Sequence, residues 1–217
     1  MDLPAEKRTK PKLRGHSHQA AFFAALGAGI VLVAAAPTPR TTLAAAVYAT
    51  TLVLLFGISA LYHRPWWPDR PREVFARLDH AMIFIFIAGS YTPFGMLGLS
   101  AETGNNVLIS MWVAAAVLAL SKIVGLRMPR WMMSSSYVAM GWFAAWSMPE
   151  ASRIIGPFGT VLLVVGGVLY TIGAVIFWRK APNPVPGVFG YHEVFHMLVV
   201  AAGIAHFIAV ARLVFAG

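Results

Sequence analysis

Gly190-Tyr-His-Glu-Val-Phe-His-Met-Leu-Val-Val-Ala-Ala-Gly-Ile-Ala-His-Phe207 is an apolar run long enough to sit in a membrane, yet it carries three histidines. His192 and His196 are four residues apart, so on a helix they stack one turn above the other on one face. At that spacing two imidazoles can bind one metal ion. His206 lies fourteen residues beyond His192, close to four helical turns, and faces roughly the same way at greater depth. Ionisable groups inside a membrane segment are costly and normally face the protein interior, which marks this stretch as a functional site.

The rest of the composition agrees with a membrane setting. Of 217 residues, 59% are hydrophobic and 12% charged, which is not the balance of a soluble domain. Several apolar runs approach the roughly 20 residues needed to cross a bilayer. The chain has no cysteine, which excludes disulfides and thiolate metal sites. Any metal is therefore held by His, carboxylate or water. The formal charge of +9 would suit nucleic acid in a soluble protein, but in a membrane protein its distribution over the loops matters first, and no nucleic-acid partner is expected.

The expected architecture is an all-α integral membrane protein, a seven-transmembrane helix bundle. Residues 1–18 read as a basic cytoplasmic tail rather than a signal peptide, with His16 and His18 as solvated tail residues. Residues 19–217 form the transmembrane domain, with spans at about 19–36, 43–62, 80–99, 107–124, 132–148, 156–178 and 190–214. No internal repeat suggests inverted transporter halves. Fourteen of the seventeen Lys and Arg fall in the tail and in the loops after the second, fourth and sixth spans. Arg40, Arg153 and Arg212 fall on the opposite side. The positive-inside rule then puts the N-terminus in the cytoplasm and the C-terminus outside.

That topology brings distant residues to one depth. The second span ends at Ser59-Ala-Leu-Tyr-His63, the third starts with Leu78-Asp79-His80, and the seventh starts with His192 and His196. Three neutral imidazoles around an open fourth position are the usual ligand set of a catalytic zinc, and His63, His192 and His196 are the expected set. Asp79 suits a place behind the ligands, holding the metal-bound water. Ser59, one turn below His63, can hydrogen-bond that water or a substrate carbonyl. Packing or hydrogen-bonding roles are expected for His80, Glu193 and His206. Pro93 should kink or loosen the third helix, with Ser90 and Thr92 bonding freed carbonyls or a neighbouring helix.

Ser59-x-x-x-His63, Leu78-Asp79-His80, Gly89-Ser-Tyr-Thr-Pro93 and His192-Glu-Val-Phe-His196 with His206-Phe207 together resemble the haemolysin III branch of the progestin and adipoQ receptor family. The resemblance spans the second to seventh helices. It implies a seven-helix bundle with a zinc ion near the cytoplasmic side, in a bacterial inner membrane. The family's three histidine ligands match His63, His192 and His196. Its aspartate, which reaches zinc through water, matches Asp79, and its serine matches Ser59. Adiponectin receptors and the related alkaline ceramidases look like zinc amidohydrolases acting on ceramide. The resemblance therefore implies membrane-lipid partners, a ceramide-like or fatty acyl substrate, and a part in membrane-fluidity homeostasis.

Other readings stay open at this stage. His192-Glu193-x-x-His196 is also the short zinc-metalloprotease signature, with Glu as general base, so an intramembrane protease is one alternative. A pore or fluidity sensor with structural zinc is another. Haem is not expected, because same-helix neighbours one turn apart cannot take opposite haem faces. Retinal is not expected either, because the seventh span has no lysine. Topology is directly testable: reporters fused to the two termini should show the N-terminus in the cytoplasm and the C-terminus outside. Both ends on one side would remove the seven-span reading.

Overall fold

The computed structural model describes residues 10–126 and 128–216. Most of the expected tail, with Lys7 and Arg8, and Arg127 of the charge count lie outside the described residues. The rest is helical: α1 His16–Ala34, α2 Pro39–His63, α3 Asp69–Pro93, α4 Ala101–Ile123, α5 Arg130–Trp142, α6 Met148–Arg179 and α7 Tyr191–Ala216. A π-helical turn, Phe94–Gly98, follows α3, and a 3-10 turn, Ala145–Ser147, precedes α6. The described residues contain no strand, only an isolated antiparallel bridge between Val185 and Phe189.

Local chemistry sets where these helices begin. The Thr38 hydroxyl accepts from Thr41 N–H while Thr41 Oγ1 accepts from Thr38 N–H, a reciprocal cap ahead of Pro39 at the first helical position. Ser100 caps α4 by accepting from Thr103 N–H at 3.4 Å. Two starts differ from the hydropathy reading. Helix α1 begins at His16, so the last residues assigned to a tail are helical. Helix α3 begins at Asp69 rather than near residue 80. Its first turns are charged, with Arg77 donating to Glu73 at 2.6 Å, and hydropathy stops where the helix leaves the apolar layer.

Among the described residues, six helical stretches are long and apolar enough to cross a membrane, which makes this a multi-pass helical membrane protein. One of the six, Trp131–Arg179, is 49 residues long. Straight, it would reach about 70 Å, more than twice the roughly 30 Å apolar core. It is instead two packed legs: Trp142 Nε1 on α5 donates to Thr171 Oγ1 on α6 at 3.0 Å. Helix α5 alone, with 13 residues, rises only about 20 Å. Gly156, at φ 71° and ψ 178°, breaks α6 near its start just before Pro157.

Helix α3 is the axis of the bundle. Met82 and Phe86 face one core with Tyr48, Leu52 and Phe56 of α2 and Val199 and Val210 of α7. Ala81, Phe84 and Ala88 face a second core with Val107, Met111 and Ala115 of α4 and Met140 of α5. The outward faces carry Phe23, Ile30, Leu43, Ile109, Val113, Val117 and Val161, all exposed. A soluble protein would not leave such continuous apolar surface uncovered, whereas lipid covers it here. Exposed Trp66, Trp131, Trp146 and Trp178 stand near helix ends, as interfacial tryptophans do.

The α2–α3 contact depends on Gly89. A Cβ there would stand 2.8 Å from Cβ and Cγ2 of Thr51. The Thr51 hydroxyl is already committed to the carbonyls of Val47 and Tyr48, both at 3.0 Å, so its rotamer is fixed. Gly89→Ala should therefore force the helices apart and cost about 1–3 kcal/mol, the usual scale for overpacking. Gly27→Ala, with open space around the new methyl, should be neutral or slightly stabilising. Thermal unfolding of both variants in one detergent checks the contrast; equal midpoints would contradict it.

Candidate metal centre

Five chain segments gather at one end of the bundle. Lys10 Nζ donates to the carbonyls of Arg64 and Pro65 after α2, at 2.9 and 3.2 Å. Lys12 and Leu13 N–H donate to the carbonyls of Gly187 and Val188 before α7. Arg77 on α3 donates to the carbonyl of Ile123 at the end of α4. The crowding of cations is felt at Lys10: burial, then the guanidinium groups of Arg14, Arg64 and Arg72, pull its pKa below the usual lysine range.

The candidate ligands stand just beneath this layer. His63 is the last residue of α2, His192 lies in the first turn of α7, and His196 is one turn further. Their ligand nitrogens lie within 4.8 Å of one another. His63 Nε2 and His192 Nε2 are 3.2 Å apart. Two nitrogens on a tetrahedral zinc, each about 2.0–2.1 Å from it, are separated by about 3.3–3.4 Å, so this edge already has the right length. His196 is 2% exposed, and its Nδ1 is buried without a hydrogen-bond partner among the described residues. Three converging imidazoles, one with an unpartnered nitrogen, fit a borderline-soft divalent ion.

Asp79 Oδ2 is 3.6 Å from His63 Nε2, and the metal-capable set closes on the three histidines without it. Ser59, one turn before His63, is buried and hydrogen-bonds a residue not expected at the site: Ser59 Oγ is 2.8 Å from Nδ1 of His18. Far from being a solvated tail residue, His18 is 4% exposed and stacks on His196, with ring centroids 3.7 Å apart and planes 3° from parallel. The reason is the early start of α1, which carries His18 into the bundle. Its depth was inferable from the same topology that collected His63 and His192, because all three follow or precede charged segments on one side.

The remaining polar residues of the motifs have other partners. Glu193 is 3% exposed, forms an ion pair with Arg14 and accepts from Gly190 N–H at 2.8 Å. It therefore caps α7 and anchors the segment before α1, which is a hydrogen-bonding role and not that of a protease base. His206 Nε2 reaches the carbonyl of Leu163 on α6 at 3.1 Å, bonding a neighbouring helix as expected. His80 lines the cavity described next, and its backbone carbonyl accepts from Tyr137 on α5. Ser90 and Thr92 donate to the carbonyls of Ile87 and Ala88, and the helix loosens into the π-helical turn directly after Pro93.

A cavity of about 200 Å³ runs from the histidines into the bundle. Its head is lined by His18, Ser59, Asp79, His192 and His196. Its length is lined by apolar side chains of α3, α5, α6 and α7, among them Phe86, Val138, Phe177, Phe195 and Val199. The arrangement joins a polar, metal-capable head to an apolar channel.

Known proteins resemble this chain over most of its length. The family described as "Haemolysin-III related" matches residues 6–207. "Hemolysin-3" of Bacillus cereus is 31% identical over 176 residues, covering 80% of this chain and 76% of that protein. "Hemolysin-3 homolog" of Bacillus subtilis (strain 168) is 26% identical over 165 residues, 76% of this chain and 74% of that one. The human "Monocyte to macrophage differentiation factor" is 25% identical over 168 residues, 76% of this chain and 67% of that one. With a match that takes in all but the ends of the sequence, the chain belongs to the haemolysin-III-related family.

Proposed function

We propose that this protein is a zinc-dependent hydrolase of lipid amides, ceramide-like in having a fatty acyl chain on a polar amine. It would serve membrane-lipid and fluidity homeostasis in a bacterial inner membrane. The observation that carries the reading is the joining of three imidazoles and a carboxylate to the head of an apolar cavity. In the same reading α5, continued by the 3-10 turn Ala145–Ser147, and α6 each cross the bilayer, which makes seven spans. The cation-rich end then lies in the cytoplasm with the metal centre beneath it, and the C-terminus lies outside.

His63, His192 and His196 would hold the ion, and zinc supplies Lewis acidity and an activated water at neutral pH. The protein's own groups do the rest. The apolar walls take the acyl chain and exclude bulk water. The Ser59 hydroxyl donates to the substrate carbonyl at the cavity head. Asp79 orients the attacking water and accepts its proton on a carboxylate oxygen. The water's hydroxyl adds to the acyl carbon, the C–N bond breaks, and the proton held by Asp79 leaves with the amine. A second reading is a non-enzymatic sensor or pore in which zinc only braces the bundle. It draws on the same ligands, because they tie the end of α2 to the start of α7.

Metal analysis tests the ligand set. His63→Ala, His192→Ala and His196→Ala should each lose zinc and lower the unfolding temperature. His206→Ala, whose ring bonds Leu163, should keep wild-type zinc. Equal zinc in the wild type and all three ligand variants would place the site elsewhere.

Asp79→Asn separates chemistry from bracing. The amide keeps the shape of the carboxylate but cannot take a proton, so zinc should be retained while ceramide-amide hydrolysis falls by about 10²-fold or more. Zinc retained with the wild-type rate would remove Asp79 as the base. Zinc lost in step with activity would make it a direct ligand. A wild type that binds zinc but hydrolyses no acyl amide would favour the bracing reading.

A further inference from the structure

Nothing in the proposed chemistry uses His18, yet its surroundings are those of a working part. Its ring lies flat on the His196 ring and edge-on to Phe56, and its Nδ1 meets Ser59. Its Nε2 is buried without a hydrogen-bond partner among the described residues. A position that only packed would be served better by an apolar ring, since an unpaired buried polar atom is unfavourable. Just before α1, Gly15 takes φ 79°, and a Cβ there would stand 2.7 Å from His63 Cβ. This left-handed turn brings the start of α1 against the end of α2.

The behaviour of Ser59 shows what His18 does. Thr51, Ser90, Thr92 and Ser121 all donate to a carbonyl one turn back in their own helices, the usual resting place of a helical hydroxyl. Ser59 turns instead into the centre, where its hydroxyl meets His18 Nδ1 across on α1 and also hydrogen-bonds the Asp79 carboxylate of α3. We propose that His18 is a positioning residue of the metal centre. Its Nδ1 holds the Ser59 hydroxyl away from the α2 backbone, and its ring face fixes the plane of the His196 imidazole. Helix α1 is thereby a fourth contributor to the centre, beside the ligand-bearing α2 and α7 and the Asp79-bearing α3. The inference rests on the metal reading above.

Co²⁺ in place of zinc gives a spectroscopic test on the purified full chain in detergent. The readouts are Co²⁺ affinity by chelator competition, the visible d–d band, and the unfolding temperature. His18→Ala should weaken Co²⁺ binding by about ten-fold or more, the scale for losing a group that orients a metal ligand, and should shift the band. Leu32→Ala, a core truncation further along α1, should lower the unfolding temperature with affinity and band unchanged. His18→Phe keeps ring and volume, so it remains measurable even if His18→Ala does not fold. It should lose less affinity than His18→Ala but still shift the band. Wild-type affinity and band in both His18 variants would overturn the inference alone. So would losses matched by Leu32→Ala in proportion to unfolding temperature. A wild type that binds no Co²⁺ would overturn the metal reading and this inference with it.

Discussion

Polar side chains inside an apolar bundle must find their partners within the protein, because lipid offers none. At the head of this bundle that requirement is met by convergence. His63 from α2, His192 and His196 from α7 and Asp79 from α3 share one small volume, with His18 from α1 against them. None of these groups would be tolerable alone at that depth. The mutual arrangement is therefore both what holds the helix ends in register and what creates a place for a cation. The two apolar cores on either side of α3 set the helix positions, and the imidazole cluster sets their rotation and height.

The cavity follows from the same geometry. Helix α3 packs closely on α2 through Gly89 and Thr51. Small residues such as Ala81, Ala88, Ala115 and Ala119 let α3 and α4 approach as well. Between α3, α5, α6 and α7 the side chains leave a void below the histidines. A polar centre opening into an apolar channel matches the polarity of the proposed substrate, an acyl amide with a polar head.

Much of this was legible in the sequence because the informative signals were long-range and redundant. Alternating loop charge, apolar runs and the one-turn spacing of His192 and His196 each constrained the same arrangement, and the structure brings His63, His192 and His196 together. What was not legible had a common cause: hydropathy reports where a helix is apolar, not where it begins. Helix α3 therefore started late in the sequence reading, and the charged turns from Asp69 were taken for a loop. The same error at α1 left His18 in a tail. It hid Arg14 as well, whose partner Glu193 is buried on α7. A tertiary ion pair between residues 14 and 193 has no local pattern to betray it. Between α5 and α6 the sequence reading did separate two spans, at 132–148 and 156–178, but the structure puts the turn earlier, between Trp142 and Met148.

The strap formed by residues 10–15 has a consequence for how the molecule is made. Lys12 and Leu13 bond the backbone at Gly187 and Val188, and Arg14 pairs with Glu193. Within this sequence they precede all seven helices, while their partners lie at and just before the start of α7. His63 and Asp79 are thus made well before His192 and His196. Until α7 is made, Lys12, Leu13 and Arg14 lack these partners and the trio of imidazoles is incomplete. A ribosome stalled before α7 would leave α2 in the bilayer with its part of the centre unmet, a nascent state open to quality control.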